Sequence, residues 1–288
     1  MSEPTVNFKF KRNQRKPSAR TLIRTSDGDT PVIDQPVRMV SCDTPEKAAY
    51  AGAPEKSQPK LDTCRERFET GFYDELPKGL TDYLTKKLTS DAAERHITAG
   101  NRATEIFDNL LSTRLVKDDG SRRKVATIPT GEVVDRYGRL LAYLAPWYSG
   151  SKKDPVPPKD DPRRQTFNLD MVETGWASFF PVYPSLPEND DFNRAIQAAS
   201  GAWAKKHGAW KEFGANLLLA YEFRMCIKLG TARTKKAGMN AAFQRVCVDL
   251  RNLKVMGKFN FHKVPPCYRM WIWEGDLAQA KMDLGLSE

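Results

Sequence analysis

Histidine is scarce: His96, His207 and His262 are the three in 288 residues, and none forms an H-x-x-x-H pair. The five cysteines, Cys42, Cys64, Cys226, Cys247 and Cys267, include no C-x-x-C. A zinc ribbon needs such spacings, so that class is excluded. The odd number of thiols argues against a disulfide framework and fits a reducing compartment. No apolar run is long enough for a transmembrane helix. The N-terminus carries no apolar signal-peptide core. Together these absences lead us to expect a cytoplasmic protein with no membrane partner.

What the chain has is charge. Lys and Arg number 46 against 36 Asp and Glu, a net charge of +10 and a pI near 9.3. With 40% hydrophobic and 28% charged residues, the composition is that of a globular chain. A positive field favours polyanions: nucleic acids, anionic membranes or acidic proteins. Charge alone does not choose among them. Residues 1–19 contain Lys9, Lys11, Arg12, Arg15 and Lys16 among few apolar side chains and read as a basic flexible tail.

The stretch "TLIRTSDGDTPVIDQPVRMVSCD" (21–43) reads as short strands separated by turns at Asp27-Gly28 and Asp34-Gln35-Pro36. Residues 47–79 read as irregular, rich in Lys, Glu and Pro. A helical region over about 80–115 follows, interrupted near Gly100, with Ala103, Ile106, Phe107, Leu110 and Leu111 on a buried face. Residues 122–146 read as two strands around the turn Asp135–Gly138, and 149–164 as a Pro- and charge-rich surface loop. A helix near 168–175 and a strand at Ser178–Tyr183 come next. Ser185-Leu-Pro-Glu188 has the form of a capping box. It would open a helix whose Phe192, Ile196, Ala199, Trp203 and Trp210 face the core. Beyond 214, "ANLLLAYEFRMCIKLG" is apolar and helical or strand-like, and "CYRMWIWEGDLAQAKMDLGL" reads as a buried strand leading into a helix.

The segment "SCDTPEK" (41–47) raises the question of chemistry. Pro45 cannot join a ladder and biases Thr44 away from helix, so the strand ends here in a stiff loop. That loop carries two acids, Asp43 and Glu46. Loops on a rigid scaffold are common places for chemistry. Taken singly, each residue has a plainer role: Asp43 as a loop cap, Glu46 as the start of a surface helix. Arg38 precedes Asp43 by five residues, which puts the two on opposite faces of an ideal strand. A bulge or the strand end must therefore turn one of them.

Three pieces occur in a fixed order: "SDGDT" at 26–30, "VRMVSCDTPE" at 37–46 and "DRYGRLLAY" at 135–143. Together they resemble the staphylococcal nuclease-like, or thermonuclease, family. "GNRATEIFDNLL" and "NLDMVETGWA" resemble two of its helices, so the similarity covers about 20–46 and 100–213. The resemblance implies an α+β fold with a five-stranded OB-type barrel and packed helices. It implies calcium-dependent hydrolysis of phosphodiester bonds in DNA or RNA. By motif position, the carboxylates of Asp29 and Asp43 and the carbonyl of Thr44 would bind Ca2+. Glu46 would orient or deprotonate the attacking water. Arg38 and Arg139 would grip the phosphate, and Arg136 and Tyr137 would lie near the nucleic-acid groove.

The implied organisation is a nuclease-like domain over 20–213 with an insertion at about 47–99, followed by an extension over 214–288. Pro31 directly after "DGDT" is a departure, because a strand there loses a donor. So is Pro181, standing where the family has an aromatic, with Phe180 and Tyr183 nearby; no base contact is assigned there. The competing reading is a non-catalytic nucleic-acid or protein-binding module on the same barrel. The retained acids and arginines favour the enzyme. A protein partner through the insertion or the C-terminal extension stays open.

Overall fold

The computed structural model describes residues 19–287, so the basic tail expected at 1–19 lies almost wholly outside the described residues. The first elements are strands β1 (Leu22–Asp27), β2 (Thr30–Ile33), β3 (Val37–Met39) and β4 (Ser41–Asp43). Helices α1 (Ala48–Ala51), α2 (Pro54–Glu69), α3 (Lys78–Thr85) and α4 (Ala92–Arg114) follow. Next come β5 (Val125–Val134), β6 (Leu140–Pro146), α5 (Phe167–Glu173), β7 (Ser178–Phe180), β8 (Val182–Tyr183), α6 (Asn189–Ala204) and α7 (Ala209–Glu212). The C-terminal part holds α8 (Ala220–Thr231), α9 (Lys235–Ala242), β9 (Arg245–Asp249), β10 (Lys254–Gly257), β11 (Arg269–Trp273) and α10 (Leu277–Leu284).

The fold is α+β, and among the described residues no sheet closes on itself. The region expected as a five-stranded barrel is split into a β1–β2 ribbon, a β3–β6–β5 sheet and a β4–β7 pair. Part of the reason is local. Pro31 and Pro36 lack the N–H donors that would join β2 to β3. The ribbon is exposed along β1. It is tied at its base, where Gln35 donates to the Gly138 carbonyl at 2.9 Å.

The run from β3 to β4 bends between two partners. Arg38 pairs with Leu141 of β6 in parallel, whereas Cys42 pairs with Phe179 of β7 antiparallel. Ser41, at φ 57°, makes the corner. The buried Asn168 of α5 fastens it: its amide donates to the Val40 carbonyl at 2.8 Å, and its oxygen accepts the Leu144 N–H at 2.9 Å.

Residues 47–79 are not irregular. They hold α1 and the 16-residue α2, with Pro54 in the first turn, where a missing N–H costs nothing, and Pro59 tolerated inside. Helix α4 is not interrupted at Gly100 either; the glycine serves a close approach. A Cβ there would lie 2.4 Å from the Glu46 carbonyl oxygen and 2.9 Å from that of Pro45. The expected apolar face of α4 is real: Ala103, Ile106, Phe107 and Leu110 pack with Met171, Val172, Trp176 and Phe179. In α6, Phe192, Ile196, Ala199 and Trp203 join the same core, while Trp210 stands on α7 and meets Trp203 edge-on at 4.9 Å. The capping box at Ser185 does not form, because the helix begins at Asn189 with Glu188 before it.

Helices α2, α3 and the start of α4 share one core with α8, β9 and β11, through Leu61, Leu80, Leu84, Phe223, Cys226 and Trp271. At the crossing of α2 and α8 a Cβ on Gly230 would meet the Lys60 carbonyl oxygen at 1.8 Å, so only glycine permits it. A buried ion network seals the contact. Glu222 accepts from Lys87 at 2.7 Å, Tyr83 at 2.6 Å and Arg269 at 3.0 Å. Burial pushes the Glu222 carboxyl up, but Lys87 and Arg269 outweigh it and hold it at about 2. Strand β8 extends the C-terminal sheet, whose order is β10–β9–β11–β8. No described helix is long and apolar enough to cross a membrane. All five thiols are free and buried.

Candidate active site

The corner at Ser41 meets the requirement that the sequence sets for Arg38 and Asp43. Arg38 Nη2 donates to Asp43 Oδ1 at 2.7 Å. The Asp43 side chain is 1% exposed, and that of Arg38 33%. A third group arrives from α8, outside every motif. Arg224 clamps Asp43 in a fork, Nη1 to Oδ1 at 3.2 Å and Nη2 to Oδ2 at 2.6 Å. Its Nη1 also donates to Glu46 Oε1. One guanidinium thus joins both carboxylates of the "CDTPE" loop. Burial would raise the Asp43 carboxyl; Arg224 and then Arg38 outweigh it and hold it at about 2. Burial also disfavours the charged Arg224, but the same carboxylates raise its pKa.

His96 fixes the loop from behind. Its Nε2 accepts the Glu46 N–H at 2.8 Å, so Nδ1 carries the proton and donates to the Leu218 carbonyl at 2.9 Å. The ring stacks on Phe223 at 3.9 Å. Burial is the main force that lowers its pKa, to about 3. The histidine is therefore neutral and sets the position of the Glu46 backbone.

The third motif forms the turn between β5 and β6. Asp135 accepts the backbone N–H groups of Tyr137 and Arg139 and the Arg139 Nε at 2.8 Å. Arg136 Nη2 donates to the Tyr137 hydroxyl, and Tyr137 is 61% exposed. The charge of Arg136 acts on both Tyr50 and Lys228, and Arg224 and Glu46 also act on Tyr50. Among the described residues, no hydrogen bond or ion pair joins Arg139 to Asp43, Glu46 or Arg38.

Asp29 stands apart at the exposed tip of the β1–β2 ribbon, accepting from the Thr30 hydroxyl at 3.0 Å. No group of three His, Cys, Asp or Glu side chains among the described residues is close enough together to hold a metal. As arranged, the residues do not fit a calcium ion: a guanidinium lies between Asp43 and Glu46, and Asp29 is not with them.

Sequence reasoning did not identify Arg224, His96, Gly100 or Tyr50 as parts of this site. Signals existed. Arg224 and Lys228 are the two cations of the otherwise apolar "FRMCIKLG", four residues apart and hence on one helix face. Tyr50 lies four residues after Glu46, on the short α1. The isolated His96 was indistinguishable from any core histidine.

A family model, staphylococcal nuclease homologue, matches residues 36–212, well over half of the 288 residues, and the chain belongs to that family. No match is found among curated proteins.

Proposed function

We propose that this chain is a nuclease that hydrolyses phosphodiester bonds in DNA or RNA by water attack at the Asp43–Glu46 loop. The observation that supports it most is the convergence of Asp43, Glu46 and Arg38 at the strand exit of a chain in the nuclease-homologue family. In this reading the Glu46 carboxylate accepts a proton from water, the water oxygen forms the new bond to phosphorus, and the bond to the leaving nucleoside oxygen breaks as that oxygen takes a proton from solvent. His96 keeps the carboxylate in place by holding the backbone N–H of Glu46. Arg38 and Arg139 donate to the non-bridging oxygens, where charge builds up and where a planar fork fits two oxygens at once. Arg139 is oriented for this by Asp135. Arg136 and Tyr137 guide the strand, with Tyr50 beside them.

Calcium on Asp29, Asp43 and the Thr44 carbonyl belongs to the proposal as the ion that the resemblance implies; hard oxygen donors suit it. Such an ion binds only if Arg224 leaves the carboxylates and the ribbon brings Asp29 to them. The proposed organisation is a nuclease domain over 20–213 with an insertion at 47–99, and an extension over 214–288 that takes part in the site through Arg224. A cytoplasmic setting fits the free thiols.

The test is direct. Purified protein should cut single-stranded DNA or RNA with added calcium and stop with a chelator. Asp43→Ala should abolish cutting, and Glu46→Gln should slow it by about 100-fold or more, because an amide cannot take the proton. Nucleic acid bound but uncut across divalent ions, with Asp43→Ala behaving as wild type, would instead identify a non-catalytic binding module.

A further inference from the structure

Beside the carboxylate cluster lie hydrogen-bond donors with nothing to donate to. Arg245 opens β9, its guanidinium 3.9 Å from the Trp273 ring centroid, 5.5 Å from that of Phe180 and 6.0 Å from that of Tyr221. Its Nε is buried and has no hydrogen-bond partner, and the buried hydroxyl of Tyr221 has none either. Lys228 stands one turn beyond Arg224 on α8, half-buried. Among the described residues neither Arg245 nor Lys228 has an ion pair, while the carboxylates of Asp43 and Glu46 are engaged by Arg224 and Arg38. Buried polar groups and charges are normally paired, so donors left open together need an explanation.

The cations share one field. Burial, then Arg224, Arg245 and Arg136, lower Lys228 to about 8. Burial lowers Arg245 to about 10, with Arg224 and Arg38 acting in the same direction against Tyr221 and Asp43. Arg38 and Arg224 hold the two carboxylates, and Arg136, Lys228 and Arg245 add their charges to the same field. Tyr221, Arg224 and Lys228 project from one face of α8, since they are spaced by three and four residues. The Arg245 guanidinium lies over the Trp273 ring, while its Nε has no hydrogen-bond partner.

We infer that Arg245, Lys228 and the Tyr221 hydroxyl form a second phosphate-binding subsite, which takes a phosphate group further along the nucleic-acid strand whose scissile bond lies at Asp43–Glu46. Phosphate presents several acceptor oxygens to a fork, an ammonium and a hydroxyl, and its charge offsets the excess of cations. The inference rests on the nuclease reading for the identity of the strand. It gives the C-terminal part a role in substrate grip: the sheet that carries Arg245 and the helix that carries Lys228 would hold the strand on one side while the β5–β6 turn holds it on the other.

Fluorescence anisotropy of a labelled single-stranded oligothymidylate, measured in chelator so that it stays intact, tests this. Lys228→Met and Arg245→Met should each weaken binding by about tenfold and lower the slope of log affinity against log salt by about one. Inorganic phosphate at millimolar concentration should compete with the oligonucleotide for the wild type and much less for the variants. Wild-type affinity and slope in Lys228→Met would overturn the subsite. Oligoglutamate competing as well as phosphate would also overturn it, in favour of a surface for acidic peptides. Competition by phosphate with no effect of either variant on oligonucleotide binding would reduce the site to one for free phosphate and overturn the strand assignment. If Arg245→Met does not fold, Arg245→Lys and Lys228→Met decide, since both keep the packing of β9 and α8. Cleavage assays are independent of this result. Cutting with unaltered binding in the variants sinks the subsite alone, and weakened binding without cutting by the wild type sinks the nuclease reading alone.

Discussion

Replacing Arg224 with Gln isolates the contact that distinguishes this site. The substitution removes a fork on Asp43 and a bond to Glu46 while roughly keeping the side chain's length. Asp43 is 1% exposed, so its charge has little water to fall back on, whereas Arg224 is 19% exposed. Breaking a buried ion pair by removing one partner costs about 3–5 kcal/mol. Arg38 stays on Asp43 and Glu46 can turn to solvent, so the expected loss lies lower, at about 2–3 kcal/mol. Urea unfolding in chelator, followed by tryptophan fluorescence and circular dichroism, measures it. The same variant reports on cations. In the wild type an added calcium ion must displace a guanidinium, whereas in Arg224→Gln the Glu46 carboxylate and the Oδ2 of Asp43 are released while Arg38 stays on Oδ1. Calcium should therefore stabilise the variant more than the wild type, with the increment growing as the logarithm of its concentration. Arg224→Lys keeps the charge without the fork and should fall between. A change below about 0.5 kcal/mol for Arg224→Gln in chelator, the size of an ordinary surface substitution, would refute the bridge. Equal protection of wild type and variant by calcium would refute the competition.

Three other outcomes follow from the same geometry. His96 has a folded pKa of about 3 against 6.5 for the free side chain, because burial opposes its charge, Arg224 adds to that, and Asp43 and Glu222 only partly offset it. A lowered folded pKa means stability that is complete above pH 6.5 and falls as pH drops, by about 1.4 kcal/mol per unit, or about 2 kcal/mol by pH 5. His262, also lowered by burial, adds in the same sense, and Asp43 adds a further loss between 3.8 and about 2. His96→Gln should flatten the profile between pH 6.5 and 4 in pH-resolved unfolding. Gly100→Ala should cost about 1–3 kcal/mol and depress cleavage without touching a reacting group, since its Cβ would displace the Glu46 carbonyl; unchanged activity would mean that α4 does not set the loop. Arg38→Lys and Arg139→Lys should each cut turnover sharply while the thermal midpoint stays within a few degrees, and near wild-type turnover in either would remove that residue from the phosphate grip.

Legibility followed distance along the chain. The strand exit at Pro45, the acids Asp43 and Glu46, and the Asp135–Arg139 turn depend on φ restriction, missing donors and side chains bonding their own backbone. Those forces act over a few residues and leave a pattern in sequence. The stripes of α4 and α6 were readable for the same reason, since a helix repeats its face every few residues. Even the conflict between Arg38 and Asp43 was visible as a parity argument, though not that Ser41 would resolve it with a positive φ. The family resemblance reached further and gave the family, but it led us to expect a five-stranded barrel and an open cation site.

Tertiary structure decided what fills that site. Arg224 meets Asp43 across 181 residues and His96 meets Glu46 across 50. No local propensity encodes such contacts; they arise because the residues beyond 47 fold into helices that share a core with α8. Gly100 shows the limit most simply. In sequence a glycine inside a helix reads as a break, because it lacks a side chain to stabilise the turn. In the folded chain that lack lets the Pro45–Glu46 backbone lie against the helix, and only the position of a neighbour distinguishes the two meanings.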